Sequence, residues 1–158
     1  MARVDPVARL EIIEAVRVTK ARYFRYIDQK RWDEFPTLFV EDVHIDVTDD
    51  IAMMGLDPAR GITIGRDRFA RDVARLLDGV QTVHHGHMQE IEVSDEARAT
   101  AITAMFDRLE FADGRVQTGY GHYEEEYALD SGAWRIARMK LRRLRIVASD
   151  EENQTRLR

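Results

Sequence analysis

Cysteine is absent from this 158-residue chain, which excludes a disulfide framework and any thiolate nucleophile or ligand. Long apolar runs are absent too. None approaches the ~20 residues needed to span a bilayer, and the opening Met1-Ala2-Arg3-Val4-Asp5-Pro6 does not read as a signal peptide. There is no excess of positive charge: 29 acidic against 24 basic side chains give a formal charge of −5. That balance argues against a general binder of nucleic acid or of anionic membranes. No glycine-rich phosphate loop, no GxSxG elbow and no HExxH occurs. What the chain does have is 44% hydrophobic residues, enough for one domain with a real core. A cytoplasmic protein is the expectation, one domain over residues 1–158, with its core over about 8–147 and a charged tail, 148–158, that frays.

Ile13, Val16, Tyr23 and Ile27, with Lys20 between them, follow helical spacing and predict a long first helix opened near Pro6 and running over Val7–Ile27. Trp32–Phe39 predicts a short second helix ending near Pro36 or shortly after it. Val43–Val47 alternates apolar with polar and predicts a strand. Residues 49–65 read as a loop able to form a lid or pocket rim. Gly65-Arg66-Asp67 opens a helix through about Leu77. Four extended segments follow, over Val80–Val93, Ala97–Phe111, Val116–Leu129 and Ala133–Val147. They are separated by Ser94-Asp95-Glu96, Ala112-Asp113-Gly114 and Asp130-Ser131-Gly132, which is hairpin-turn chemistry. Helices first and antiparallel strands afterwards define an α+β fold, with the helices packed on one face of a curved sheet.

Two carboxylates stand out. Asp28 falls where the first helix runs out, at the negative end of its dipole, where a cation is preferred. It is either solvated, or caps the next helix, or points inward to orient a histidine. Asp107 interrupts the apolar row Ala97, Ala99, Ala101, Thr103, Met105, Leu109 and Phe111. A buried carboxylate is expensive, so it needs a partner unless a bulge turns it outward. The histidines cluster at His84-His85-Gly86-His87. Alternation puts His84 with Gly86 and His85 with His87, and no recognised motif supplies further metal ligands. One histidine held by a carboxylate as general base or acid needs less. Trp32 and Trp134 read as packing residues, His44 as a surface or packing histidine, and Arg138, Lys140, Arg142, Arg143 and Arg145 as a solvated face. Gly119 and Gly121, flanking Tyr120 before His122, leave room for a ligand to approach the sheet.

Ala21-Arg22-Tyr23-Phe24-Arg25 followed by Asp28, then His84-x-Gly86-His87 with Glu90-Ile91, then Asp107-Arg108-Leu109 with Phe111 and Asp113-Gly114, carry a resemblance over residues 8–147. The chain resembles the SnoaL-like branch of the nuclear-transport-factor-2-like superfamily. Within it the chain looks like the bile-acid 7α-dehydratases, and more distantly scytalone dehydratase and hexachlorocyclohexane dehydrochlorinase. Tyr127, Asp130, Gly132 and Trp134 are common to the whole superfamily. The resemblance implies a cone-shaped α+β barrel with Tyr23, Asp28, His84 and Asp107 lining a pocket between helix and sheet. Tyr26, His87, Met105, Tyr123 and His122 are expected around the substrate. Tyr23 and Asp28 lie about 140° apart on an ideal helix, so Tyr26 is an alternative for the tyrosine role.

The expected activity is that of a cofactor-independent lyase, without metal, removing water from an apolar, steroid-like or other polycyclic hydroxy-ketone. His84 is the base, Asp28 its support, Tyr23 the donor to the carbonyl, and Asp107 the group handling the leaving hydroxyl, as a protonated acid or by orienting His84. A proton-shuttling isomerase, a polyketide-cyclase-like enzyme or a small-molecule-binding module are the alternatives. A homodimer or homotrimer through the outer sheet face is expected from the resemblance.

Overall fold

A computed structural model describes residues 4–148. Helix α1 spans Pro6–Asp28. The carboxylate of Asp5 starts it by accepting from the backbone N–H groups of Val7 and Ala8 at 2.9 and 3.2 Å. A cap of this kind contributes about 1 kcal/mol, and Pro6 occupies the first turn, where its missing N–H costs nothing. Strand β1 (Phe39–Asp46), helix α2 (Thr48–Met53), the short strand β2 (Ile62–Ile64) and helix α3 (Arg66–Leu76) follow. Strands β3 (Gln81–Asp95), β4 (Arg98–Glu110), β5 (Val116–Asp130) and β6 (Ala133–Ala148) then form three consecutive hairpins. The expected α+β class and the order of the long elements hold.

The six strands form one sheet in the order β2-β1-β6-β5-β4-β3. All pairs are antiparallel except β1 with β6. Register breaks at Met88-Gln89 in β3, at Ala137 and at Leu144 in β6 bend the strands. The last hairpin closes through Ser131 and Gly132, both at positive φ of 51° and 80°, the conformation of a two-residue type I′ turn. Helix α1 lies across the concave face against β3 and β6. It buries Ile12, Val16, Thr19, Lys20, Tyr23, Phe24 and Ile27. On β4 the buried row is Ala99, Ala101, Thr103, Met105 and Asp107, the face expected from alternation.

Three expectations need correction. The helix over Trp32–Phe39 is only a 3-10 turn, Phe35–Leu38, which begins later than expected and ends two residues after Pro36. Lys30, at φ 56°, has already turned the chain away from helical continuation. The loop over 49–65 contains α2, a 3-10 turn and β2. Just before it, Asp46 Oδ1 accepts from both the backbone N–H and the hydroxyl of Thr48, the first residue of α2, at 3.0 and 2.7 Å. The basic run on β6 is not one solvated face. Met139, Leu141 and Arg143 alternate inward, and Arg143 is buried. The tail from residue 149 lies outside the described residues.

Candidate active site

Asp28 is the last residue of α1, and its side chain reaches across to β3. Its Oδ1 lies 2.7 Å from His84 Nδ1 and accepts from the Thr82 hydroxyl at 2.9 Å. Its Oδ2 accepts from the backbone N–H of His84 at 2.9 Å. Of the readings open for Asp28, the inward one is what the fold adopts. Partial burial works against its charge, but the hydrogen bonds from His84 and Thr82 outweigh burial and hold the carboxyl below its ordinary range. A carboxylate accepting at Nδ1 fixes the proton there and leaves Nε2 as the basic nitrogen of the neutral ring. The ring itself stacks on Phe24, centroids 6.1 Å apart and planes 14° from parallel.

His84, Asp107 and Gly119 are register partners in a single row across β3, β4 and β5. Asp107 therefore faces the same interior as His84, on the strand beside it. Its Oδ2 accepts from Arg143 Nη1 at 2.9 Å, and Arg143 Nε donates to Asp50 Oδ1 of α2 at 2.7 Å. The expected partner of the buried aspartate is thus an arginine two strands away. Gly119 is what admits it: a Cβ there would overlap the guanidinium and the Asp107 carboxylate. The space expected to receive a ligand over this glycine is taken up by Arg143. The other oxygen of Asp107, Oδ1, is buried without a hydrogen-bond partner among the described residues. Burial raises the Asp50 carboxyl, with Asp107 adding to the rise against the opposing pull of Arg143.

Tyr23 and Tyr123 meet above this row, with ring centroids 5.7 Å apart and their hydroxyls hydrogen-bonded. Burial, reinforced by Glu125, pushes the Tyr23 phenol above its ordinary value, while the hydrogen bond from Tyr123 pulls the other way. Tyr23 is therefore a neutral donor whose oxygen is already served by Tyr123. The angular difficulty disappears because Asp28 is the helix terminus and extends toward β3 as Tyr23 points into the core. Tyr26 is only half-buried, beneath the Arg31 guanidinium at 4.6 Å from its ring centroid, whereas Tyr23 is buried. Met105 is inside, 3.5 Å from Arg143 Nη1 through its sulfur. His87 and His122 are not inside. They pair with Ala104 from either side on the outer face of the sheet, opposite to buried Met105 and Tyr123.

Two interior groups, Lys20 and Glu125, fall outside the expected set. Lys20 Nζ donates to Glu125 Oε1 at 2.7 Å with both side chains almost fully buried. The signal for Lys20 was its place in the stripe Ile13, Val16, Tyr23, Ile27. Glu125 carries no comparable local signal, since Glu124 and Glu126 flank it. No helix among the described residues is long and apolar enough to cross a membrane.

Comparison with known proteins agrees with this architecture. The model of the SnoaL-like domain matches residues 8–140, and the chain belongs to that family. Among solved structures it is similar to a putative scytalone dehydratase from Novosphingobium aromaticivorans, with 19% identity, TM-score 0.79, and coverage of 90% of this chain and 91% of that one. It is also similar to a hexachlorocyclohexane dehydrochlorinase from Novosphingobium barchaimii, with 14% identity, TM-score 0.75, and coverage of 91% and 94%. A third neighbour is a protein of unknown function from Mycobacterium tuberculosis, with 24% identity, TM-score 0.72, and coverage of 90% and 81%. At these identities the likeness is one of fold.

Proposed function

We propose that this chain is a cofactor-independent, cytoplasmic lyase that removes water from an apolar, neutral hydroxy-ketone, with His84 as the base. The observation that carries the reading is the Asp28–His84 pair: a 2.7 Å contact at Nδ1, with the carboxylate fixed by two further hydrogen bonds. An isomerase of the same fold would use the carboxylate itself as base. Here Asp28 is committed to His84 and Thr82, which favours the imidazole.

His84 Nε2 takes the proton from the carbon beside the carbonyl, and Asp28 stabilises the imidazolium that forms. Tyr23, whose oxygen accepts from Tyr123, donates its own proton toward the carbonyl oxygen as enolate charge develops. Asp107 Oδ1, the unpartnered oxygen, accepts from the substrate hydroxyl and aims it at the imidazolium. Collapse of the enolate forms the C=C bond and breaks the C–O bond. The departing oxygen takes the proton back from His84, so water leaves and the enzyme is regenerated.

Asp28, Asp107 and Asp50 against Arg143 make an interior that repels anions, and Met105 and Phe24 supply apolar wall. A steroid or other polycycle fits that chemistry. A homodimer or homotrimer contact belongs to the same reading, on the outer sheet face where Val83, Ile102 and Tyr120 are exposed. The test is product mass on 3-oxo-hydroxysteroids and smaller β-hydroxy ketones. Loss of one water, falling about 10²-fold in rate in His84→Ala, is expected. Product of unchanged mass would make the protein an isomerase.

A further inference from the structure

Buried ion pairs seldom add net stability. Removing two charges from water costs more than their attraction returns unless further contacts compensate, and an apolar pair of similar volume often does as well. The pair between Lys20 and Glu125 is of this kind, with side chains 2% and 0% exposed. It takes no part in the proton transfers described above, although it sits among the groups that do. Its cost needs another explanation.

Three aromatic rings surround the Lys20 ammonium. Its Nζ lies 3.4 Å from the ring centroid of Tyr123, 4.1 Å from that of Tyr23 and 4.8 Å from that of Phe24. A desolvated cation is drawn to the negative faces of aromatic rings. These rings are not arbitrary neighbours. Tyr23 and Tyr123 share the hydroxyl pair that faces the carbonyl in the proposed reaction. Phe24 is the surface on which the His84 imidazole stacks, and it is wedged against Gly86, where a Cβ would lie 2.5 Å from its ring. Glu125 fixes the cation from below and is itself fixed by the Tyr127 hydroxyl, which donates to Oε2 at 2.9 Å.

We infer that Lys20 is a positioning residue: held by Glu125, its ammonium sets the rings of Tyr23, Tyr123 and Phe24 and, through Phe24, the His84 imidazole. One buried cation thereby fixes both the proton donor and the base. The inference rests on the function proposed above for the consequence in catalysis, but the positioning itself is independent of it. Burial brings the Lys20 ammonium down from 10.5 to about 8, against the opposing pull of Glu125. The titratable groups facing it are Glu125 and Tyr123 from β5 and Tyr23 from its own helix. Loss of the ammonium proton therefore falls in an accessible range, below the phenols, which burial raises.

The experiment is NMR of the aromatic rings and imidazoles of the full chain from neutral to alkaline pH, on wild type and on Lys20→Met/Glu125→Gln. The double change removes both charges and keeps an acceptor for Tyr127. In wild type the signals of Tyr23, Tyr123, Phe24 and His84 are expected to shift together, with one midpoint at the Lys20 titration. In the folded double variant that common midpoint is expected to vanish and the His84 signals to move, with dehydration kcat lowered about tenfold or more and KM little changed. The wild-type titration needs no variant, so it decides even if the double variant fails to fold. Signals that shift without a common midpoint, or a double variant with wild-type imidazole signals, would overturn the inference. Absence of turnover in wild type would instead count against the dehydratase reading, and the spectra would still decide the positioning.

Discussion

The Lys20–Glu125 pair makes a quantitative prediction about stability. The folded-state lysine titrates at about 8 against 10.5 for the free side chain, because burial disfavours the ammonium. Between those values the unfolded chain holds a proton that the folded chain does not, so stability rises with pH there. Below about pH 8 both states are protonated and the whole cost of the buried charge is present. From about pH 7 to about pH 9.5 the relief amounts to about 2 kcal/mol. Urea unfolding at a series of pH values, wild type against Lys20→Met/Glu125→Gln, isolates this contribution, since the other titrating groups are common to both. Wild-type stability relative to the variant is expected to climb by that amount across the window. A flat difference, or one that falls with pH, would refute the reasoning, because the ammonium would then not be disfavoured in the folded state.

Asp28 gives the opposite sign. Its folded carboxyl is depressed by His84 and Thr82, so its contribution is present above the ordinary carboxylate range and lost as pH falls through the folded value. Asp28→Asn should flatten part of the acid limb of unfolding free energy against pH; an unchanged limb would count against the hydrogen bonds described. Gly119→Ala should cost about 1–3 kcal/mol by overpacking against Arg143 and Asp107, read as a lowered melting temperature. A neutral outcome would mean the guanidinium has room to withdraw. Arg143→Met leaves the Asp107 and Asp50 carboxylates without their shared cation and should destabilise by about 3–5 kcal/mol in urea unfolding, partly relieved by adding Asp50→Asn.

How much was legible in the sequence depended on whether the signal was local. The helix stripe through Tyr23 and Ile27 and the interruption of an apolar row by Asp107 are periodic features, and both carboxylates stood out before any fold was known. The inward turn of Asp28 was one of several open readings, since it depends on β3 passing the end of α1. Arg143 was hidden because the basic run on β6 occupies both alternation phases, and the bulges at Ala137 and Leu144 set which phase faces inward. Asp50 and Glu125 belong to partners 93 and 105 residues away, which no spacing rule reaches. His87 and His122 went the other way. Alternation alone already put His87 opposite to His84, and the motif resemblance drew it into the pocket. The 3-10 turn at Phe35–Leu38 shows the same limit at short range, since one positive-φ residue, Lys30, redirects the chain before a second helix can start.

The central claim is that His84 removes a proton from carbon. Its most direct test is exchange, in deuterated water, of the hydrogen beside the carbonyl in an apolar ketone that lacks the hydroxyl and so cannot be dehydrated. Mass spectrometry should detect deuterium entering that carbon with wild type and Asp107→Asn, with the rate falling about 10²-fold or more in His84→Ala. Exchange at an undiminished rate in His84→Ala would contradict the account and move the base to another residue.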